Sequence, residues 1–349
     1  VTTLTDARPS VLDEVERLAP TIATRAADVE AGRRVPRDLL DRLIGAGCFG
    51  TLLPESHGGH GLDLPDALEV FTALARADGS VGWTVMIGAT SWVDLTGLPR
   101  SSFDDLFDAG EPAIFAGAIS PSGQAVRQAD AYRVDGRWGF VSGCEHCTRL
   151  FVNCVDASDG GPALRIAVLH PSEVTIEHTW QTLGLRGTGS HHVTVDGVMV
   201  PADRTHLLES EERCLDEPIV RVPTPCLVGL CVASVAIGIA QGALDDLQAL
   251  AVDKVPLLAP TALAANPTFQ HDLAEAETVL RAATALVRAD AGRAWTWAVD
   301  GGEVPADDRA RLRATAAWVA DQAALVVTSA YRAGGGGAVY LDGSLQRRL

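Results

Sequence analysis

Three stretches with different hydrophobic periods divide the chain. From its start to about residue 108, apolar positions recur at the helical spacing of three and four. PRDLLDRLIGAGCFG (Pro36–Gly50) opens with a proline suited to a first turn and meets glycine stops at Gly45 and Gly47. LDLPDALEVFTALARADGSVGWTVMIGATSW (Leu62–Trp92) predicts two more helices, broken at Asp78-Gly79. From Pro112 to about Leu208 the period falls to two. GQAVRQADAYRVDGRWGFVSG (Gly123–Gly143) alternates across Asp135-Gly136, which predicts a hairpin turn there. TRLFVNCVDASDGGPALRIAVLH (Thr148–His170) predicts a second hairpin around Asp159-Gly160-Gly161, and HHVTVDGVMVP (His191–Pro201) closes the series. After about Pro218 the helical period returns. One long helix carries Leu273, Ala276, Leu280, Ala283 and Val287 on a single face, and a second ends at Gly334–Gly337. The expected fold is α+β, mainly α: an N-terminal helical domain (1–110), a small antiparallel β-barrel (111–212) and a C-terminal long-helix bundle (213–349).

One segment tests this reading. VPTPCLVGLCVASVAIGIAQGAL (Val222–Leu244) carries no charge and is long enough to cross a bilayer. It is rich in small residues and contains Gln241. Its flanks are acidic, with no basic cluster to set an orientation. The expectation is a helix buried on all sides within a bundle or subunit interface, and no membrane partner.

Composition narrows the partners. The formal net charge of −17 repels phosphate backbones and anionic lipid, so no nucleic-acid partner is expected. The seven cysteines are an odd, scattered set rather than a disulfide framework, and no signal peptide is recognised; both fit a cytoplasmic setting.

Several stretches could carry chemistry. In GRWGFVSGCEHC (Gly136–Cys147) a period of two puts Trp138, Phe140 and Ser142 on one strand face. An aromatic wall beside a hydroxyl suits a flat heterocycle; barrel-core aromatics are the plainer alternative. Cys144-Glu145-His146-Cys147 lacks the second cysteine pair of a structural zinc site, so no metal is expected. The His57/His60 loop, PESHGGHGLD, reads as turns and packing for the same lack of completing ligands. QTLGLRGTGSHHV (Gln181–Val193) is glycine-rich but runs from loop to strand. It therefore lacks the helix N-terminus that holds phosphate in nucleotide motifs. No G-x-S-x-G elbow is present.

Five segments in order resemble the acyl-CoA dehydrogenase superfamily. They are LLPESHGGHGLDLPDALEVFTALARADGSVGW, AGAISPSGQA, GRWGFVSGCEHC, LGLRGTGSHHVTVDGVMVP and YRAGGGGAVYLDGSLQRRL, and together they span nearly the whole chain. The resemblance implies a flavin beside the β domain. Ser142, on the strand with Trp138 and Phe140, would lie near the ring nitrogen that gains or loses hydride. Ser120, Thr188 and Ser190 would be polar contacts, Trp180 a further wall, and Gly335 and Gly336 an approach from a bundle helix, often a neighbouring subunit's. A homotetramer is implied.

Two departures select a branch. The Arg-x-x-Phe-Gly stretch by which dehydrogenases grip the FAD pyrophosphate is replaced by AVDKVPLLAPTALAANPTFQHDLAEAE, and the loop before the barrel reads ISPSGQAV. Both resemble the flavin-dependent monooxygenases, the two-component hydroxylases. That branch implies reduced FMN or FAD delivered by a separate flavin reductase, O₂ as co-substrate, and a C4a-(hydro)peroxide protected in a dry pocket, with Ser142 as its hydrogen-bond partner. The substrate would be an aromatic or polyketide-like small molecule. A phenol would need a base, for which His146, His191 and His192 are the candidates, the last with His146 as the favoured pair. The alternatives are an FAD-dependent acyl-CoA dehydrogenase and a flavin-free, non-catalytic member of the fold.

Overall fold

The computed structural model describes residues 9–107, 112–158, 163–210 and 212–349. The N-terminal helices are α1 (Val11–Gly32), α2 (Arg37–Gly45), α3 (Leu64–Ala77), α4 (Gly79–Thr90) and the short α5 (Arg100–Asp104). Short polar side chains start three of them. Ser10 and Asp13 form a reciprocal capping box on α1, Asp63 accepts from the Asp66 amide at 2.8 Å, and Asp78 from that of Val81 at 2.9 Å. Asp78 is thus both the end of α3 and the start of α4, so the two helices fold back on each other. His57 and His60 make packing contacts, as expected: His57 lies edge-on to Phe103 and Phe107, and His60 sits under Gly47.

The strands are β1 (Phe115–Gln128), β2 (Ala131–Val141), β3 (Arg149–Asp156), β4 (Ala163–Leu169), β5 (Thr175–Glu177), β6 (His191–Pro201) and β7 (Thr205–Leu207). They form one sheet in the order β5-β6-β2-β1-β3-β4-β7, curled around its own core of Trp138, Leu150, Val152, Leu169, Val193 and Val195. Two expectations are corrected. The sheet is not wholly antiparallel: β6 takes one edge of β2, so β3 must cross over and pair parallel to β1. The first turn lies at Ala129-Asp130, with Ala129 at φ 54°, and not at Asp135-Gly136. Asp135-Gly136 sits inside β2, where Gly136 faces Gly123. A Cβ on Gly123 would lie 2.1 Å from the Trp138 ring, so the glycines make room for the indole. β3 and β4 pair as the second hairpin; its Asp159-Gly160-Gly161 turn lies outside the described residues.

The C-terminal helices are α6 (Pro218–Arg221), α7 (Thr224–Asp253), α8 (Pro267–Val299), α9 (Ala306–Ala333) and α10 (Ser344–Arg348). The apolar segment forms α7. It is long and apolar enough to cross a membrane, yet here it is enclosed by α3, α4, α8, α9 and α10. Its glycines allow this: a Cβ at Gly238 would stand 2.3 Å from the Thr72 carbonyl oxygen of α3. On α8 the expected face holds, with Leu280, Ala283 and Val287 buried and Leu273 and Ala276 half-buried.

Two glycines make opposite predictions. Gly238→Ala gains helix propensity but collides with α3 backbone, and should lose about 1–3 kcal/mol of stability. Gly292→Ala, on α8 with nothing within 4 Å of the new methyl, should gain about 0.5–1 kcal/mol. Denaturant midpoints measured on both variants check the pair.

Candidate active site

The site is built where β2 ends. The chain leaves Val141 and crosses the end of the sheet in a tight turn, with the His146 and Cys147 amides both donating to the Gly143 carbonyl. Just before this turn Phe140 takes a left-handed backbone (φ 61°), a strained choice for an aromatic residue. The kink breaks the period of two. Trp138 points into the sheet's interior, fully buried, and its indole N–H donates to the Asn153 carbonyl at 2.7 Å. Phe140 swings out and is 76% exposed. The shared aromatic face expected of Trp138, Phe140 and Ser142 is therefore not formed, and Trp138 is a core residue rather than a wall of the site. Phe140 instead meets Trp180 edge-on, ring centroids 6.0 Å apart.

The sheet is splayed beside it. β1 pairs with β2 only from Gly123 onward, and its pairing with β3 skips from Ala118 to Gly123. Ile119–Ser122 thus lie outside both ladders, and the Ile119 carbonyl accepts instead from the Asn153 side-chain amide at 2.7 Å. Ser120 is exposed there, its hydroxyl 3.1 Å from that of Ser122.

Helix α4 covers this mouth. Trp83, Ile87 and Thr90 share one helical face, and Asp94 continues it one turn on. The Trp83 indole N–H donates to Ser142 Oγ at 3.0 Å. Ser142 Oγ lies 2.7 Å from Ser190 Oγ, which lies 2.7 Å from Thr188 Oγ1; Thr188 in turn donates to the Leu185 carbonyl at 2.9 Å. Thr188 and Ser190 are buried behind Ser142 rather than open to a ligand. The glycines of this loop serve packing: Gly187 lies against Val29, and its N–H donates to Ser80 Oγ at 3.1 Å.

Asp94 stands at the other end of that helical stripe. With Ile87, Gly117, Ile119, Phe151 and Thr224 it lines a cavity of about 50 Å³ where helices, sheet and α7 meet. Burial pushes its carboxyl up to about 6, against the Thr224 hydroxyl and the Arg213 guanidinium, which pull it down. Neither Trp83 nor Asp94 was among the sequence candidates. A signal existed for the second, since Asp94 is the sole charged residue between Gly79 and Leu98. A larger cavity, about 480 Å³, lies beyond the Leu183–Arg186 loop, but its charges are paired internally: Glu30 with Arg186 and Arg347, Asp246 with Arg348.

The histidine candidates fall elsewhere. His146 sits in the crossover turn, its basicity lowered by burial. His192 lies on the outer face of β6, over Gly139 and bonded to Thr179. Neither joins the hydroxyl chain or lines the Asp94 cavity. His191 points inward beside Glu145 and His178, the one metal-like cluster among the described residues, with candidate ligand atoms within 4.8 Å of one another. Its Nδ1 accepts the Trp180 amide N–H at 3.1 Å, so the neutral ring carries its proton on Nε2, 3.5 Å from Glu145 Oε2. A protonated nitrogen cannot ligate, so the cluster reads as an ordered His–Glu pair. Cys144 and Cys147 remain thiols, pushed up to about 12 by burial. Gly335 and Gly336 lie past the end of α9. Gly335 has φ 65°, and Lys254 donates to the Gly334 carbonyl beside it.

These features place the chain among known proteins. Residues 5–95 match the family model described as acyl-CoA dehydrogenase, N-terminal domain, and residues 230–349 that of the C-terminal domain. An indole-3-acetate monooxygenase of Pseudomonas putida is 32% identical over 93% of this chain and 83% of its own length. The oxygenase component of an FADH₂-dependent resorcinol hydroxylase from Rhizobium sp. is 27% identical over 81% and 73%. The crystal structure of a 3-HSA hydroxylase from Rhodococcus sp. RHA1 superposes with a TM-score of 0.91 at 25% identity, covering 98% of this chain and 90% of that one. The chain belongs to the acyl-CoA dehydrogenase superfamily, in its flavin-dependent monooxygenase branch.

The site fits a flavin ring. It offers an exposed aromatic edge at Phe140, the residues Ile119–Ser122 outside both ladders, and the buried Ser142 hydroxyl two residues past Phe140.

Asp94 yields a pH prediction. Its folded value lies above the ordinary carboxylate value, so the ionised form disfavours folding. That cost is absent below about pH 4, where both states are protonated, and grows as pH rises to about 6 and above. Wild-type protein should lose stability between pH 4 and 7 relative to Asp94→Asn. Urea melts across that range check it.

Proposed function

We propose that the chain is the oxygenase component of a two-component flavin-dependent monooxygenase that hydroxylates an aromatic small molecule. The observation that carries this is the Ser142 hydroxyl, held at the splayed sheet mouth between Trp83 and the exposed Phe140. The relatives support it by their named activities: one is named for indole-3-acetate, another for resorcinol and for FADH₂.

The bound group supplies the electrons that activate O₂. In this reading Phe140, Trp180 and Ser120 would hold its ring, and Ser142 would be the hydroxyl offered to the ring nitrogen. Thr188 and Ser190 act through Ser142. Asp94, the acid–base group of the adjoining cavity, takes the proton of a phenolic or N–H substrate and raises its ring electron density. A separate reductase supplies the reduced FMN or FAD. The assembly is a homotetramer, which would cover the outlying apolar loop of Leu257 and Leu258, 93% and 96% exposed, and let Gly335 and Gly336 of one copy approach the flavin of another. The setting is the cytoplasm.

The test supplies reduced FMN or FAD, ¹⁸O₂ and a panel of phenols and indoles. Label entering the product, with less H₂O₂ released than flavin consumed, is the expected result. H₂O₂ alone with every aromatic, or reduction of bound FAD by acyl-CoA thioesters, would refute it. Asp94→Asn should lower kcat about 10²- to 10⁴-fold and remove the rise in rate with pH centred near 6. Ser142→Ala should raise the H₂O₂ share while leaving the fold intact by circular dichroism.

A further inference from the structure

Hydrogen-bond chains have a direction when their ends allow one role each. Here both ends do. An indole N–H only donates, so Trp83 must give its proton to Ser142 Oγ. A carbonyl only accepts, so the Thr188 hydroxyl gives its proton to Leu185, whose oxygen also takes the Trp180 indole N–H at 2.9 Å and the Thr188 amide at 3.2 Å. With the Thr188–Leu185 bond made, the order between the two ends follows. Thr188, having donated, accepts from Ser190; Ser190, having donated, accepts from Ser142. Ser142 therefore spends its one proton on Ser190 and one lone pair on Trp83. What remains for a ligand is a single lone pair.

We propose that the ordered chain Trp83–Ser142–Ser190–Thr188–Leu185 makes Ser142 an acceptor only, so that the site selects reduced over oxidised flavin. The proposal rests on the flavin reading above. Reduced flavin carries a hydrogen on N5 and can donate it to that lone pair. Oxidised flavin has a bare N5, which meets lone pair against lone pair. An oxygenase fed by diffusible reduced flavin gains from this, because the spent, oxidised form is released. Thr188 and Ser190 are thus positioning residues, and what they fix is the direction of a proton rather than the place of an atom.

The experiment measures dissociation constants of reduced FMN and FAD under anaerobic conditions and of the oxidised forms in air. Wild type should bind the reduced form at least about tenfold more tightly, the scale of one hydrogen bond made against one denied. Thr188→Val removes the terminal donor, and Ser190→Ala removes the acceptor of Ser142's proton. Either frees that proton for N5. Each should cut the preference about three- to tenfold, mainly by tighter binding of oxidised flavin. Thr188→Ser, which keeps the hydroxyl, should restore the wild-type ratio. A ratio unchanged in both variants, or equal weakening of both redox forms, overturns the ordering while the flavin reading stands. Wild type that binds neither form overturns both.

Discussion

Helix α7 carries no charged residue from Thr224 to Leu244, and the molecule is arranged around the need to cover that stretch. α3, α8 and α9 enclose it, two of them from the far end of the chain. Its small residues let backbone approach backbone, at Gly238 against α3 and Gly242 against Arg76. Because α3 is fixed on α7, and Asp78 caps α4 directly after α3, the position of α4 follows. Its outward stripe, Trp83 to Asp94, is thereby held over the end of the sheet.

The sheet meets that stripe with its least regular part. The parallel placement of β3 forces a crossover at the end of β2, and both ladders of β1 lapse at Ile119–Ser122. Regular pairing there would consume every backbone group and leave nothing for a ligand. The strain at Phe140 is set against four hydrogen bonds running from Trp83 to Leu185. A buried hydroxyl without a partner costs about 1–3 kcal/mol, so the closure of that chain at both ends is a condition for burying Ser142, Ser190 and Thr188 together.

Much of this was legible in the sequence, and the failures have physical causes. The three periods gave the element types, and the ordered segments gave the superfamily and its branch. Phe140 and Trp180 do meet, edge to face. Trp138 was misassigned because alternation holds only while the backbone stays extended, and one left-handed residue reverses every side chain beyond it. Asp135-Gly136 looked like a turn because turns and glycine-made clearances use the same residues. His146 and His192 were favoured for their chemistry, yet their direction is decided by the crossover and by the outer face of β6. Trp83 could not be found from local pattern, since its meaning depends on a contact with a strand 59 residues away.

The sulfur inventory has a consequence of its own. Reduced flavin left with O₂ and no substrate yields hydrogen peroxide, an oxidant that attacks thiolates and exposed thioethers. Every cysteine here has its thiol pushed above the ordinary range, chiefly by burial, with Cys48, Cys144, Cys147 and Cys154 at about 12. Almost none is thiolate at neutral pH, so the nucleophile that peroxide would consume is scarce. Of the two methionines Met86 is sealed in the helical core, and only Met199 is open to solvent. A chain with seven cysteines thus presents a nearly inert surface to the by-product of its own idling, and Met199 is where wear would first register.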